Sequence, residues 1–254
     1  MEFSLASLVL VLAAGTIGGA MNALAGGGTF ATLPALLAVG LPANTANATS
    51  NVALLPGAGT SAWTFRDELA PLSGVSIRTL AAITFVGGLI GSALLVITPS
   101  DTFDIIIPWL VLYAFVVLAF GKRASDWLHD RVTIGRKTLM VAQALLGIYG
   151  GYFGGGVGLM TTATYGLLAG HSPRELFAPR TLMLAVANFA AAIVFIAALM
   201  VVWWAAVPML MGSIIGGWGG AHIGKKLPAN WVRIWTLLVT GATTLVFFWR
   251  AYGP

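Results

Sequence analysis

The 254-residue chain has no cysteine and very little charge. Only 8% of its residues are Asp, Glu, Lys or Arg, whereas soluble domains have about 25%. The absence of cysteine excludes disulfides, thiolate metal sites and thiol chemistry. The low charge content argues against a soluble domain. The net charge of +5 does not indicate a nucleic-acid partner, because the basic residues lie in loops between apolar segments.

The motifs of several enzyme classes are missing as well. The sequence has no Gly-x-Ser-Gly element, no His-Glu-x-x-His, no Walker A loop and no dinucleotide fingerprint. None of its eight acidic residues lies inside a predicted membrane span, whereas proton-coupled transporters usually carry an intramembrane Asp, Glu or His. We therefore expect no catalytic residue, metal site or cofactor, and no proton relay of the usual kind.

Hydrophobic residues, in contrast, are abundant. They make up 58% of the chain, the mean hydropathy is +0.92, and stretches near the bilayer-spanning length of about 20 residues recur from end to end. We expect the first stretch to remain in the mature protein, because it lacks the basic start of a signal peptide. Eight long spans are predicted at residues 5–24, 45–65, 79–97, 105–121, 138–155, 179–201, 204–222 and 232–250. The fold class is therefore an all-α polytopic membrane protein.

A glycine-rich pattern occurs once in each half of the chain. Each copy has a glycine triplet, a short apolar stretch, a Gly/Pro turn and an Ala-x-x-Thr tetrad. The first copy comprises Gly26-Gly27-Gly28, Gly40/Pro42 and Ala46–Thr49, and the second comprises Gly154-Gly155-Gly156, Gly170/Pro173 and Ala178–Thr181. A Gly-x-x-Gly-Gly precedes each copy, at residues 15–19 and 147–151. Interrupted apolar segments at matching places in two halves indicate the binding site of a transporter.

The two apolar stretches after the triplets, residues 29–40 and 157–169, are about 18–20 Å long as helices, too short to cross a bilayer alone. If they return to the side they came from, the basic residues divide eight to five between the two sides. If they complete a crossing, twelve of the thirteen basic residues share one side and only Arg250 is opposite. Basic residues concentrate on the cytoplasmic side, so we favour the second count.

This count predicts two inverted repeats of about five elements each, comprising eight long spans and two short, broken helices. Residues 1–121 form the first membrane repeat, 122–137 a cytoplasmic linker and 138–254 the second repeat. Both termini are predicted to be periplasmic.

A glycine turn at the start of a helix presents backbone N–H groups that bind anions without a buried cation. We therefore predict an anion site between the two triplets, with hydroxyl and amide side chains as further donors. Its candidate residues are Asn22, Gly26, Gly27, Gly28, Asn47, Thr49, Ser50, Asn51, Gly154, Gly155, Gly156, Arg180, Thr181 and Asn188.

Simpler interpretations remain open for several of these residues. Glycines in membrane helices often serve only close packing, and Ser and Thr in spans often bond to their own helix. Arg180 is either an ordinary charge at the cytoplasmic end of a span or a cation that gathers anions. His171 is either a loop residue or a substrate contact.

The two glycine patterns together resemble those of the sulfite exporter TauE/SafE family over essentially the whole chain. The second copy departs from the family pattern, with Tyr165-Gly166 where a proline is common and Leu182 where a serine is common. The resemblance implies a bacterial inner-membrane carrier for small sulfur-containing anions such as sulfite, sulfonates (sulfoacetate) or thiosulfate.

The function expected from these observations is export of such an anion by alternating access. The partners are the anionic substrate and the bilayer, without nucleic acid, and the protein is a monomer or a homodimer. An anion channel, or an importer for thiosulfate or another small organic anion, is the alternative. A channel would require a continuous wet path, which conductance measurements in liposomes would detect.

Overall fold

The computed structural model describes residues 4–129, 135–169, 175–224, 227 and 229–253, without the side chains of 121–129, 167–169 and 229. These residues form ten α-helices, a 3-10 turn at Arg66–Glu68 and no β-strand. The helices are α1 Leu5–Leu24, α2 Thr29–Ala38, α3 Ala43–Thr64, α4 Ile77–Ile97, α5 Ser100–His129, α6 Arg136–Tyr152, α7 Val157–Ala169, α8 Phe177–Ala197, α9 Trp203–Gly224 and α10 Ala229–Tyr252.

The described residues contain the ten predicted helical elements in the predicted order, but only five of the eight predicted long spans meet the length and apolarity of a membrane crossing. Five of the described helices, α1, α4, α5, α8 and α10, contain segments long and apolar enough to cross a membrane by length and composition. The protein is therefore all-α and polytopic. Local signals set several helix ends. Ser4 and Ser76 cap α1 and α4 by accepting backbone N–H bonds at 3.1 Å. Gly40, two residues beyond the end of α2, has a φ of +88°, a conformation that glycine adopts without strain.

Helix α5 is longer than predicted at both ends. It begins at Ser100 and continues to His129, into the segment predicted to be a linker. Asp101 stabilises the first turn because its negative charge lies near the positive end of the helix dipole. The prediction that no acidic residue lies in a span is therefore wrong, since Asp101 and Asp104 both belong to the candidate span. Asp104 lies 3.5 Å from Arg250, with which it forms an ion pair.

The chain leaves the helical conformation at both glycine triplets, as predicted. Residues 25–28 and 153–156 lie between helices. Gly26 has a φ of +83° and Gly154 a φ of +72°, conformations that only glycine adopts without strain. We call Gly26–Gly28 the first glycine turn and Gly154–Gly156 the second glycine turn.

Helices α1, α3 and α9 run in the same direction. Along α1 and α9, Gly15 packs against Met209 and Gly19 against Ser213. Along α3 and α9, the Ser213 hydroxyl donates to the Ala53 carbonyl at 2.6 Å, and the Ser61 hydroxyl donates to the Gly217 carbonyl at 3.3 Å. Because α1 and α3 are parallel, the short helix α2 between them returns the chain toward its starting side.

Helices α4, α6 and α8 form a second parallel group. Gly147 of α6 packs against Thr84 of α4, and Gly151 packs against Gly88. The two groups run in opposite directions. Phe65, just after α3, packs on Phe177 at the start of α8 with ring centroids 5.7 Å apart, and Thr49 near the start of α3 contacts Val202 beyond the end of α8.

The two ends of the bundle differ in charge. We call the end where α1, α3 and α9 begin the first face and the end where α4, α6 and α8 begin the second face. Seven basic residues have described side chains. Six lie at the second face (Arg66, Arg78, Arg136, Lys137, Arg180 and Arg233), and Arg250 lies at the first.

The glycines that precede the two turns serve close helix packing. A Cβ at Gly15, Gly19 or Gly151 would lie between 2.0 and 2.3 Å from a carbonyl oxygen of the neighbouring helix. Such small residues let membrane helices approach closely. Gly18 and Gly150 instead face the start of the short helix that follows in their own half. The two Gly-x-x-Gly-Gly patterns therefore have matching structural roles.

Candidate functional site

The first glycine turn meets the beginning of α7, which directly follows the second glycine turn, in the interior of the protein. A Cβ at Gly26 would lie only 2.4 Å from the Cα of Gly158, so the two backbones are in direct contact. Both turns and the beginnings of α2 and α7 are buried. Since α2 runs toward the first face and α7 toward the second, two oppositely directed helices place their N-terminal ends side by side. Each helix N-terminus carries about half a positive charge.

Many backbone donors at this junction have no acceptor. Within the described part of the chain, the N–H groups of Gly27 and Thr29 make no hydrogen bond, nor does any N–H from Gly154 to Leu159. Each buried donor without an acceptor costs about 1–3 kcal/mol. The junction therefore favours a ligand that supplies several acceptor atoms.

The first glycine turn is partly satisfied by its own helix. The Asn22 side-chain oxygen accepts the N–H of Gly28 at 2.6 Å. Helix α1 continues five residues beyond Gly19, whereas α6 continues one residue beyond Gly151. This extra turn of α1 positions Asn22, and α6 has no counterpart of it. Asn22 therefore holds a backbone donor in place of a ligand.

Two asparagines on one face of α3 approach the second glycine turn. A Cβ on Gly154 would lie 2.5 Å from the Asn51 side-chain oxygen, so this amide lies directly against the turn. The Asn51 amide nitrogen donates to the Asn47 carbonyl at 3.2 Å, and that of Asn47 donates to the Tyr152 carbonyl at 3.0 Å. Both side-chain oxygens are buried without a donor among the described residues.

Arg180 is a buried cation beside the first glycine turn. It is 5% exposed, and its Nη2 donates to the carbonyls of Ala23 and Leu24 at 3.2 and 2.5 Å. Its guanidinium carbon lies 3.9 Å from the centre of the Phe177 ring. Its Nε has no partner, and no carboxylate in the described part of the chain pairs with it. Burying a charge whose partners are all neutral is costly, and an anionic ligand would reduce that cost.

Several predicted site residues use their polar groups elsewhere. The Thr49 hydroxyl accepts the Val202 N–H at 3.1 Å, in the connection between α8 and α9. The Thr181 hydroxyl donates to Phe177 and Ala178 of its own helix. The Ser50 hydroxyl bonds to Thr32 of α2 at 2.6 Å. These three hydroxyls thus bond to other groups of the protein and not to the unpartnered N–H groups.

Two further predictions have different outcomes. Asn188 is 2% exposed in α8, and its side-chain oxygen has no donor among the described residues, but no hydrogen bond joins it to either glycine turn. His171 lies outside the described residues.

Sequence reasoning missed two aromatic side chains that cover the glycine turns. A Cβ on Gly27 would lie 2.9 Å from the Phe30 ring, and a Cβ on Gly155 would lie 2.5 Å from the Phe153 ring. The two rings are both buried, with centroids 6.5 Å apart. Their positions directly beside the triplets were the available signal, but an apolar residue there suggests no donor or acceptor.

The unpartnered groups at this junction are mostly donors, namely backbone N–H groups and one guanidinium. The unpartnered atoms of Asn47 and Asn51 are their side-chain oxygens, which are acceptors. No group of three His, Asp or Glu side chains suitable for a metal occurs in the described chain. Oxyanions accept several hydrogen bonds at once and suit helix N-termini. The geometry fits a small oxyanion better than a cation.

Comparisons with known proteins agree with a membrane transporter. A family described as "Sulfite exporter TauE/SafE" matches residues 11–247. "Probable membrane transporter protein YfcA" of Escherichia coli (strain K12) is 24% identical over 238 residues, which cover 93% of this chain and 88% of that protein. A "Probable membrane transporter protein" of Haemophilus influenzae is 28% identical over 250 residues, which cover 94% of this chain and 95% of that protein. "Probable membrane transporter protein ORF9" of Sinorhizobium sp is 29% identical over 225 residues, covering 86% and 82%.

No solved structure matches the chain. The family match extends from within α1 to within α10 and includes both glycine turns. The chain is therefore a multi-pass membrane protein that belongs to the sulfite exporter TauE/SafE family.

Proposed function

We propose that the protein exports a small sulfur-containing anion, such as sulfite or sulfoacetate, across the bacterial inner membrane. The observation that carries this proposal is the junction of the two glycine turns. Two buried helix N-termini meet there with unpartnered N–H groups, and the buried cation Arg180 lies beside them without a carboxylate. All three contributions have positive potential, so a bound anion stabilises them together.

The second glycine turn is proposed to supply most of the donors. Six consecutive residues, from Gly154 to Leu159, offer N–H groups without acceptors. Asn51 lies against this turn, and a rotation of its amide would present its nitrogen to the anion. Asn47, Arg180 and the Gly27 N–H complete the proposed site, while Thr49, Ser50 and Thr181 support the helices around it.

We propose that residues 1–121 and 138–254 are inverted repeats that rock against each other. Matching contacts support this arrangement, since α1 packs on α9 as α6 packs on α4, and α3 packs on α9 as α8 packs on α4. The matching helices run in opposite directions, as an axis in the membrane plane requires. Segment 122–137 joins the halves at the second face, although α5 occupies part of it.

The orientation follows from charge. Basic residues are concentrated at the cytoplasmic ends of membrane proteins, and six of the seven with described side chains lie at the second face. The second face is therefore proposed to be cytoplasmic, and both termini periplasmic. A negative cell interior then drives an anion outward by about 2.3 kcal/mol per charge per 100 mV, so export requires no coupling ion.

Transport in proteoliposomes tests this function. Vesicles are loaded with sulfite, sulfoacetate or thiosulfate, and an inside-negative potential is imposed with potassium and valinomycin. We expect saturable efflux of at least one of these anions, accelerated by the potential and unchanged by a pH gradient. Gly59 of α3 offers a matched control, because a Cβ there has open space around it. Gly59→Ala should transport normally.

Two results would contradict the proposal. Absence of flux for all three anions would exclude small sulfur-containing anions of this kind as the substrates. Steady electrical conductance that does not saturate with anion concentration would favour the channel alternative over a carrier.

A further inference from the structure

Among the hydrogen bonds that join the halves of the protein, two have a similar arrangement. On one side, Asn47 near the start of α3 donates to the carbonyl of Tyr152, the last residue of α6. On the other, Arg180 near the start of α8 donates to the carbonyl of Leu24, the last residue of α1. We call these the first-face tie and the second-face tie. In each, a side chain of one half holds the C-terminal end of the first helix of the other half.

The two ties differ in charge. The Asn47 amide is neutral, and its acceptor is a neutral carbonyl. The Arg180 guanidinium carries a full positive charge, and its acceptors are also neutral carbonyls. An anion is a stronger acceptor for a guanidinium than a carbonyl is, because the attraction between two opposite full charges adds to the hydrogen bond. An anion at the glycine turns therefore competes for Arg180 much more effectively than for Asn47.

Arg180 can reach the Leu24 carbonyl and an anion at the first glycine turn from one position. Leu24 lies two residues before Gly26, so its carbonyl adjoins the first glycine turn. The Nε of Arg180 is buried and without a partner, which leaves one edge of the guanidinium open to a ligand. The Phe177 ring supports the guanidinium face at 3.9 Å and does not compete for its N–H groups.

We propose that Arg180 is an anion-operated latch at the second face. The arriving anion takes the guanidinium from the carbonyls of Ala23 and Leu24, and the C-terminal end of α1 is released. The first-face tie remains closed during this step, so only the second face opens to the anion. This inference rests on the proposed function, because the trigger is its substrate. It makes Arg180 a substrate contact that also couples binding to opening.

The absence of cysteine gives a direct test. Ala23→Cys reports on the second-face tie and Ala46→Cys on the first-face tie. Both positions are at most 1% exposed, so a reagent reaches either cysteine only when the protein opens there. Each single-cysteine protein is labelled with N-ethylmaleimide, with and without sulfoacetate, a sulfonate that leaves the reagent intact. We expect sulfoacetate to accelerate labelling of Ala23→Cys by about tenfold, the scale of one lost charged hydrogen bond, and to leave Ala46→Cys unchanged. Equal acceleration at both positions would overturn the latch.

Two variants separate charge from packing. Arg180→Gln, in the Ala23→Cys background, keeps a donor for the carbonyls and removes the charge, so sulfoacetate should no longer accelerate labelling. Arg180→Lys keeps the charge and should retain part of the acceleration. A purely structural Arg180 would leave the acceleration intact in Arg180→Gln, and that result would overturn the proposal. So would its complete loss in an Arg180→Lys protein that still binds sulfoacetate.

Calorimetry measures anion binding, and hydrogen–deuterium exchange measures opening, so together they test the proposed function and the latch separately. Sulfite and thiosulfate react with thiol reagents, so exchange of residues 21–28 is compared with that of residues 149–156 for these two anions. Faster exchange of residues 21–28 alone supports the latch. Failure of all three anions to bind contradicts the proposed function. Binding that changes neither labelling nor exchange contradicts the latch alone.

Discussion

The first and second glycine turns occupy matching positions but use their backbone donors differently. In the first glycine turn, Asn22 accepts the N–H of Gly28. In the second, no N–H from Gly154 to Leu159 has an acceptor among the described residues. The difference arises from one extra turn of α1, which carries Asn22. The first glycine turn is therefore mainly structural, whereas the second is rich in backbone donors without acceptors.

The short helices after these turns are also held differently. Tyr165 of α7 donates to Gln143 of α6, which donates to Thr84 of α4, and all three residues are buried. The corresponding positions around α2 are Leu37 of α2, Val11 of α1 and Met209 of α9, which form apolar contacts in the core. A directional network thus fixes α7, whereas nonpolar packing holds α2. The half with the open donors is the half with the polar anchor.

Gly154→Ala should have the largest effect on anion binding. The new Cβ would lie 2.5 Å from the Asn51 amide, and the φ of +72° is strained for alanine by about 1–2 kcal/mol. We expect anion affinity measured by calorimetry to fall by about a hundredfold, from strain and displacement of Asn51 together. Gly59→Ala is the control, since its Cβ meets no neighbour within 4 Å. Wild-type affinity in a folded Gly154→Ala protein would place the anion elsewhere.

Asn51→Ala and Asn22→Ala compare the two turns directly. Asn51→Ala should weaken anion binding by about tenfold, as expected for the loss of one hydrogen bond to a charged ligand. Asn22→Ala should leave affinity unchanged or increase it, because the Gly28 N–H becomes available. It should instead lower the melting temperature, since a buried donor loses its acceptor. Reversed results would mean that the first glycine turn is the principal donor.

Tyr165→Phe tests the polar anchor of α7. It leaves the Gln143 side-chain oxygen buried without this donor, which should reduce the free energy of unfolding by about 1–3 kcal/mol. Anion affinity should not change. Tyr113→Phe is a suitable control, because Tyr113 is 53% exposed. A strong loss of anion binding in Tyr165→Phe, at normal stability, would extend the site to this network.

Thr181→Val should have the smallest effect. Its hydroxyl already donates to its own helix, at 3.0 and 2.9 Å. Anion affinity should remain within about twofold of wild type, since no hydrogen bond to the ligand is lost. A tenfold loss in titration calorimetry would restore Thr181 to the site.

The sequence was sufficient to predict the ten helices of the described chain and the two interruptions at the glycine turns. Long apolar segments, glycine triplets and the distribution of basic residues each have a direct structural consequence. The helical period could also have refined the site, because Asn47 and Asn51 are four residues apart and share one face of α3. Thr49 lies between them on the opposite side, where it contacts Val202. Thr49 stays a prediction for the site, but it does not share the helix face of Asn47 and Asn51.

Other features depend on contacts between distant parts of the chain. The capping role of Asn22 follows from how far α1 extends before it turns, and the sequence shows no helix-ending signal between Gly19 and Gly26. The contact of Arg180 with Leu24 depends on the packing of α8 against the end of α1. Helix α5 begins at Ser100 and therefore includes Asp104. Apolar content alone does not mark this helix start.

The most direct test of the central claim locates an anion in the protein. Selenite has the shape and charge of sulfite, and its selenium gives an anomalous signal in X-ray diffraction. We predict one peak per chain between the two glycine turns, about 4 Å from backbone nitrogens of Gly154–Leu159 and close to the Arg180 guanidinium, the distance that N–H···O bonds to a selenite oxygen require. A peak elsewhere, or no peak in crystals soaked to saturation, would contradict the account.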